Sequence, residues 1–189
     1  MESHSDGELW GLSVATNDVF ATSCDDNKIK AWSISKRKSV ASGTVCNEAR
    51  KAKRGGASSM TTLADSQCAR AVSINPSSGH VAVGHNDGTL TIRSGTGLDH
   101  LNLDQIIHTN NNSKEWIEVI RYSPDGTKLA VGSHDNNIYI YSAGNYKLLG
   151  KCSKHNSFIV CLDWSIDGQY IRSVCGAHEL LFFKTDTCY

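Results

Sequence analysis

The sequence predicts an all-β chain in which one antiparallel sheet unit is repeated four times. The unit is clearest in RYSPDGTKLAVGSHDNNIYIY (121–141). Ser-Pro-Asp-Gly at 123–126 has the composition of a tight turn, and apolar and polar residues alternate on both sides of it. His-Asp-Asn-Asn at 134–137 makes a second turn before the β-branched and aromatic run at 138–141. The unit is therefore a meander of three short strands.

Three other stretches repeat this order of strand, turn, strand, hairpin and strand. They lie at 12–32, 72–93 and 162–183. The apolar residues that open the third strand of the four units are 61, 48 and 42 residues apart, and they are Ile29, Leu90, Ile138 and Leu180. A repeat of about 40 to 45 residues with four strands is typical of WD40 blades. The sequence therefore predicts a WD40-type β-propeller of about four blades, part of a larger ring.

The repeat also predicts the domain organisation. Blades are expected at 1–41, 68–107, 108–150 and 151–189, the last one incomplete. The segment at 42–67, rich in Gly, Ser, Ala and charge, is predicted to be a surface loop. Four blades are too few for a ring of about seven or eight, so we expect flanking blades of a longer chain to cover the end sheets. Alternatively, two copies of the chain complete one ring.

Composition argues against several functional classes. The 19 basic residues balance the 19 acidic residues, so no net field attracts the chain to nucleic acid or to a membrane. The chain has no apolar run of 18 residues, and its first ten residues lack the basic and apolar regions of a signal peptide. We expect a cytoplasmic protein that binds neither nucleic acid nor membrane and keeps its seven cysteines reduced.

Positive charge is concentrated in one region. Between 36 and 54 the chain has seven basic residues and one acidic residue. A solvated loop accounts for such a run, and the alternative is a salt-sensitive contact with an acidic partner. On the second interpretation the candidate contacts are Arg50, Lys51, Lys53 and Arg54.

Large aromatic residues occur where the first strand of a blade begins. Trp10, Trp116 and Phe158 are assigned to one repeat position, which favours packing between blades. Interface hot spots are also enriched in tryptophan. Trp116 is therefore a candidate partner contact as well as a packing residue.

The first blade contains the residues of a hydrogen-bonded tetrad. His4 precedes the first strand, Thr22 lies on the second, Asp26 on the hairpin and Trp32 on the third. A buried Asp must be paired, and an imidazole, a hydroxyl and an indole can surround it. These offsets predict a structural tetrad. A catalytic nucleophile and base are less consistent with positions that follow the repeat.

The tetrad is incomplete in the other blades. The fourth blade has His155 and Ser173, but Ala177 stands where Asp is expected and Phe183 where Trp is expected. In the second and third blades only the aspartate remains.

Two Cys-x-x-His pairs in the fourth blade resemble a metal site. They are Cys152 with His155, and Cys175 with His178. The spacing suits zinc, but the pairs would lie at strand ends, and repeat packing folds the blade without metal. We therefore predict no metal and no cofactor, with zinc at these four residues as the alternative. The sequence has no phosphate-binding glycine loop, and no paired carboxylates stand out at a pocket, so it does not indicate an enzyme.

Three stretches resemble the echinoderm microtubule-associated protein-like family. They are GELWGLSV (7–14), RYSPDGTKLAVGSHDNNIYIY (121–141) and KCSKHNSFIVCLDWSIDGQYIRSV (151–174). The resemblance covers most of the chain apart from 42–67 and implies part of the second, C-terminal propeller. The family's coiled coil, first propeller and hydrophobic signature motif are not among these residues.

The resemblance implies a non-enzymatic cytoskeletal module that binds microtubules or tubulin. Other proteins are expected to bind through the propeller faces. The alternative function is a general WD40 scaffold that recruits a peptide or a signalling protein without tubulin.

Overall fold

The computed structural model describes residues 4–5, 7–45, 68–95 and 101–189. Within these ranges every regular element is a β-strand. The strands form four antiparallel sheets in chain order, which confirms the predicted all-β propeller class and its four blades.

Among the described residues, each of the first three sheets has four antiparallel strands in chain order, and the fourth has three. The first sheet comprises β1 (Leu9–Val14), β2 (Val19–Cys24), β3 (Lys28–Ser33) and β4 (Lys38–Thr44). The second comprises β5 (Ala69–Ile74), β6 (Val81–His85), β7 (Leu90–Gly95) and β8 (Leu101–Asn110). The third comprises β9 (Ile117–Tyr122), β10 (Lys128–Ser133), β11 (Ile138–Ser142) and β12 (Leu148–Cys152). The fourth comprises β13 (Ile159–Trp164), β14 (Tyr170–Cys175) and β15 (Leu180–Lys184).

The outer strands continue slightly past the expected blade boundaries. They end at Thr44, Asn110 and Cys152, whereas the blades were expected to end at 41, 107 and 150. Most of the expected loop at 42–67 lies outside the described residues, and so do the candidate contacts Arg50, Lys51, Lys53 and Arg54.

The turn between the first and second strands has the same chemistry in the third and fourth sheets. In the Ser-x-Asp-Gly turns at 123–126 and 165–168 the serine hydroxyl donates a 2.6 Å hydrogen bond to the aspartate two residues later. This bond holds the pKa of each aspartate below its ordinary value. Gly126 and Gly168 adopt φ of 73° and 66°, a region that residues with a Cβ rarely enter. The turn residues therefore fix where each strand reverses.

The sheets pack face to face through their first strands. β1 contacts β5, β5 contacts β9, and β9 contacts β13. An apolar cluster fills each junction, so that each sheet buries the flank of the next. The junctions contain, in order, Ile29, Val72 and Val83; Ile92, Ile120 and Leu129; and Ile140, Ile159 and Phe183.

Two glycines allow this close approach between sheets. A Cβ on Gly84 would lie 2.3 Å from Cγ2 of Ile117, and a Cβ on Gly132 would lie 2.6 Å from Cγ2 of Ile159. Each isoleucine opens the first strand of the following sheet. A side chain at either glycine would separate the two sheets.

The outer flank of the first sheet is apolar and exposed. Leu12 on β1 is 57% exposed, whereas Val72 and Ile120, at the equivalent ladder positions of the next two sheets, are 1% and 0% exposed. A sheet on that side would bury Leu12 in the same way. The expectation that flanking blades cover the end sheets remains a prediction.

Candidate protein-interaction face

The first-blade tetrad assembles at the end of the sheets where β2 turns into β3, which we call the hairpin end. Nδ1 of His4 lies 2.9 Å from Oδ2 of Asp26, and Nε2 lies 2.8 Å from Oγ1 of Thr22. The indole N–H of Trp32 donates to the same hydroxyl at 2.7 Å. The structure therefore brings all four predicted residues into one closed network.

Asp26 is held as a carboxylate within this network. Its side chain is 1% exposed, and this burial raises its pKa. Hydrogen bonds from the Ser5 N–H and from His4 outweigh burial, so the pKa of Asp26 lies below its ordinary value. The Lys28 N–H donates a further bond of 3.0 Å to the other carboxylate oxygen. The network joins the segment before β1 to the hairpin and to β3, and the structural role of the tetrad stays a prediction.

A second arrangement at the hairpin end crosses all four sheets. We call it the aromatic row, and it comprises Trp10, Arg70, Trp116, His134 and Phe158. The guanidinium carbon of Arg70 lies 3.9 Å from the ring centre of Trp10 and 4.6 Å from that of Trp116. The ring centres of Trp116 and His134 are 5.3 Å apart, and those of His134 and Phe158 are 4.7 Å apart. The row is therefore one continuous stack.

β-Bulges place the first two members of the row. The ladder pairs Leu9 with Cys24 and Gly11 with Ser23, so Trp10 is left out of the pairing. Arg70 is left out in the same way between its neighbours on β5. A bulge re-aims a side chain that regular pairing would direct elsewhere.

The register corrects one expectation from the sequence. Trp116 and Phe158 are equivalent, since each precedes the residue that pairs with the end of the second strand. Trp10 lies two positions later in the repeat, and its equivalents are Arg70 and Glu118. The assignment of Trp10, Trp116 and Phe158 to one repeat position is wrong, because Trp10 occupies the bulge position within its strand, whereas Trp116 and Phe158 come just before the first paired residue of theirs.

Packing leaves a large part of each aromatic side chain exposed. Trp10, Trp116 and Phe158 are 42%, 41% and 40% exposed. Trp116 packs on Arg70 of the preceding sheet and still presents much of its ring to solvent. Both interpretations of Trp116 are therefore compatible with its position: it joins two blades and remains accessible to a partner.

Carboxylates outside the row hold its rings in place. The indole N–H of Trp10 donates to Oδ1 of Asp25 at 2.8 Å. Nε2 of His134 lies 3.2 Å from Oε2 of Glu118. Arg70 has no carboxylate within salt-bridge distance among the described residues. Its positive charge is held between two indole rings and is available to an anionic group from outside.

The described neighbours of the 46–67 segment also lie at the hairpin end. The Val45 N–H donates to the carbonyl of Asn27 at 2.8 Å, and the Cys68 N–H donates to Oδ1 of Asn86 at 2.9 Å. Asn27 and Asn86 belong to the hairpins of the first and second sheets.

The four zinc candidates do not form one group. His155 and Cys175 come together with Glu179, which sequence reasoning missed. Cys152 instead lies beside Cys188, and burial, together with that thiol, raises the pKa of Cys152. His178 occupies the hairpin with φ of 61° and does not belong to the cluster of potential ligands among the described residues.

The sequence of the chain matches a known protein family. A family model described as the echinoderm microtubule-associated protein second beta-propeller matches residues 9–189. The chain belongs to this family. The resemblance noted in the sequence is thereby confirmed, and the chain is a propeller module of a family of microtubule-associated proteins.

Similar proteins match across nearly the whole chain. The ciliary WD repeat-containing protein ctxp80 of Euplotoides octocarinatus is 59% identical over 98% of this chain. The 77 kDa echinoderm microtubule-associated protein of Strongylocentrotus purpuratus is 35% identical over 100% of it. Echinoderm microtubule-associated protein-like 1 of Homo sapiens is 33% identical over 99%. The chain spans 26%, 24% and 20% of these relatives, respectively.

The part of the chain that the structure describes contains no helix long and apolar enough to cross a bilayer.

Proposed function

We propose that this chain is a non-enzymatic microtubule-binding module of the cytoskeleton and that the aromatic row contacts tubulin. Membership of a microtubule-associated protein family supports the partner class. The observation that supports this contact surface is the continuous stack of side chains from Trp10 to Phe158 across four sheets.

The chemistry of the row suits an acidic protein surface. Its aromatic rings are half-exposed and held in place by packing, so little conformational entropy is lost when a partner covers them. Arg70, stacked between Trp10 and Trp116, offers a cation to a carboxylate of the partner. Contact with tubulin is expected to weaken as salt screens this charge.

Co-sedimentation with polymerised tubulin tests the surface. Trp116→Ala and Arg70→Gln are each expected to weaken binding about 10-fold or more, as for residues at an interface hot spot. Tyr170→Ala is the matched control, because Tyr170 is 46% exposed and lies at the opposite end of the fourth sheet. Equal binding by the three variants and the unaltered chain would exclude the row as the contact.

The basic residues Arg50, Lys51, Lys53 and Arg54 remain a prediction as a second contact. Charge reversal of all four to Glu is expected to flatten the salt dependence of microtubule binding. Unchanged salt dependence would remove this segment from the proposal.

The WD40 scaffold without tubulin is the competing function. It predicts that the unaltered chain does not co-sediment with microtubules but captures a peptide or signalling protein, and that Trp116→Ala abolishes the capture. Binding to microtubules by the unaltered chain argues against it.

A further inference from the structure

Three potential metal ligands converge in the fourth sheet. Nδ1 of His155, Sγ of Cys175 and a carboxylate oxygen of Glu179 all lie within 4.8 Å of one another. The Nδ1 of His155 is 3.6 Å from Oε2 of Glu179, and the Cys175 thiol donates to the same oxygen at 3.3 Å. The three atoms come from the loop before β13, the end of β14 and the β14–β15 hairpin.

The environment of His155 indicates that this cluster can bind a cation. The His155 side chain is 0% exposed, and its Nδ1 has no hydrogen-bond partner. The other ring nitrogen, Nε2, is 2.7 Å from Oγ of Ser173. When the Nε2–H donates to Ser173, the lone pair of Nδ1 points toward Cys175 and Glu179. A buried lone pair without a donor is costly, and a cation can satisfy it.

The neighbouring groups keep this arrangement ready for a cation. Burial lowers the pKa of His155 more than its interaction with Glu179 raises it. Backbone and side-chain hydrogen bonds from Asn156, with a further one from Cys175, lower the pKa of Glu179 to about 2. The Nδ1 of His155 and Oε2 of Glu179 therefore face each other at 3.6 Å, beside the thiol of Cys175.

We propose that His155, Cys175 and Glu179 bind a borderline-soft divalent cation of the Zn²⁺ type. Ligand atoms about 2.0 to 2.3 Å from a tetrahedral zinc ion lie roughly 3.3 to 3.6 Å from one another. The distances of 3.6 Å and 3.3 Å fall in this range. A nitrogen, a sulfur and an oxygen donor suit zinc better than magnesium or calcium, which take oxygen ligands. Solvent water completes the coordination beside Glu179, whose side chain is 29% exposed.

Binding has a defined proton balance. The Cys175 thiol loses its proton to solvent as the sulfur–zinc bond forms, and the ion keeps its charge state throughout. One proton is released for each zinc bound, so affinity rises with pH. Asn156 orients the carboxylate through bonds of 3.0 Å to Oε2 and 2.5 Å to Oε1, the outer-shell support that metal ligands usually have.

The first sheet supplies a matched control. His4, Cys24 and Asp26 are close enough to form a similar cluster. Both ring nitrogens of His4, however, already contact tetrad partners, Asp26 and Thr22. Cys24→Ser is therefore expected to leave zinc binding unchanged. Cys161→Ser serves as a second control, because Cys161 is an exposed thiol outside the cluster.

Equilibrium dialysis of the chain against Zn²⁺, followed by elemental analysis, tests the proposal. One equivalent of zinc is expected in the unaltered chain and in both controls. Affinity is expected to fall about 10- to 100-fold in Asn156→Ala, the loss typical of outer-shell changes, and further in Cys175→Ser. Glu179→Gln is the mildest ligand variant, since it is isosteric and partly exposed, and it keeps the test valid if Cys175→Ser fails to fold.

Cobalt substitution gives an independent readout. The Co²⁺ form of the unaltered chain is expected to show a thiolate-to-metal absorption band that Cys175→Ser lacks and Cys161→Ser keeps. No stoichiometric zinc in the unaltered chain would overturn the proposal, as would zinc lost only in Cys161→Ser.

Discussion

The first and fourth sheets place the same backbone positions at the hairpin end but connect them differently. In the first sheet His4 reaches both Thr22 and Asp26, so both of its ring nitrogens have partners. In the fourth sheet, His155 contacts Ser173, but Ala177 replaces the aspartate. The Nδ1 of His155 therefore has no hydrogen-bond partner. The repeat therefore fixes where a histidine lies, and one hairpin side chain decides whether its polar network is closed.

The third strand extends this comparison. Trp32 donates to Thr22 in the first sheet, whereas Phe183 at the equivalent position offers Ser173 no donor. Phe183 instead packs against the His155 ring, with ring centres 5.8 Å apart. The fourth sheet lacks the two hydrogen bonds that Asp26 and Trp32 make in the first. In their place the His155 ring packs against Phe183, and Glu179 lies 3.6 Å from its Nδ1. The loss of the tetrad's aspartate and tryptophan thereby leaves potential metal ligands close together in the fourth sheet.

Removal of the tetrad carboxylate should have the largest effect. Asp26→Ala leaves the His4 ring and the N–H groups of Ser5 and Lys28 without their acceptor. The loss in free energy of unfolding is expected to be about 2 to 4 kcal/mol, measured by urea denaturation. Asp135→Ala is the control, because Asp135 accepts mainly from Tyr139 and local backbone, and it is expected to cost about 1 kcal/mol. Equal losses would show that the closed network adds nothing.

Restoring the missing carboxylate should sharpen the contrast between the two sheets. Ala177→Asp places an acceptor where Asp26 stands in the first sheet, and His155 Nδ1–H can then donate to it. Stability is expected to rise by about 0.5 to 1.5 kcal/mol. Zinc binding should be lost at the same time, because Nδ1 is no longer a free ligand. Ala177→Asn offers a neutral control with a weaker gain, and zinc retained by Ala177→Asp would contradict the equivalence of the two hairpins.

The repeated sheets were predictable because their signals are local. Ser-x-Asp-Gly turns reverse the chain within four residues, and the hairpin residues with positive φ recur at Asn27, Gly88, Asn136 and His178. The tetrad was predictable as well, since its members lie at fixed offsets from these turns. Each of these features depends on residues that are close in the chain or that repeat with it.

The aromatic row and the metal-binding group could not be predicted in the same way. Arg70 stacks between Trp10 and Trp116, which come from the sheets on either side, and a bulge that the apolar pattern does not reveal aims it there. Glu179 was missed because its contact with His155 depends on the absence of the aspartate at 177. Cross-sheet geometry, which the spacing of one repeat does not encode, decides both arrangements.

The hairpin of the fourth sheet carries a small backbone cost that the first avoids. His178 has φ of 61°, a left-handed conformation that Asn27 occupies in the first sheet at φ of 60°. Asparagine tolerates this region better than histidine. His178→Asn is expected to stabilise the chain by about 0.5 kcal/mol in thermal unfolding. The reverse change, Asn136→His, should destabilise it by a similar amount, and changes of the same sign in both variants would rule out this explanation.

NMR titration is expected to detect the incomplete hydrogen-bond network around His155 in the fourth sheet, even though that network changes the free energy of unfolding only slightly. Burial depresses the pKa of His155, so the unfolded chain takes up this proton first, and stability falls as pH drops through about 6.5, the ordinary histidine value. The pKa of Glu179 is about 2, so the contribution of its hydrogen bonds is complete above its ordinary value and declines as pH falls toward 2. Carboxylate and imidazole NMR titrations of the chain are expected to show both pKa shifts.

Asn156→Ala removes one of the hydrogen bonds to Glu179 and should raise the pKa of Glu179. Asp125 is the control, because its pKa is lowered chiefly by Ser123 and should not change. A Glu179 that titrates near 4.5 in the unaltered chain would mean that the carboxylate is not held toward His155, and the contrast between the two sheets would then rest on the missing aspartate alone.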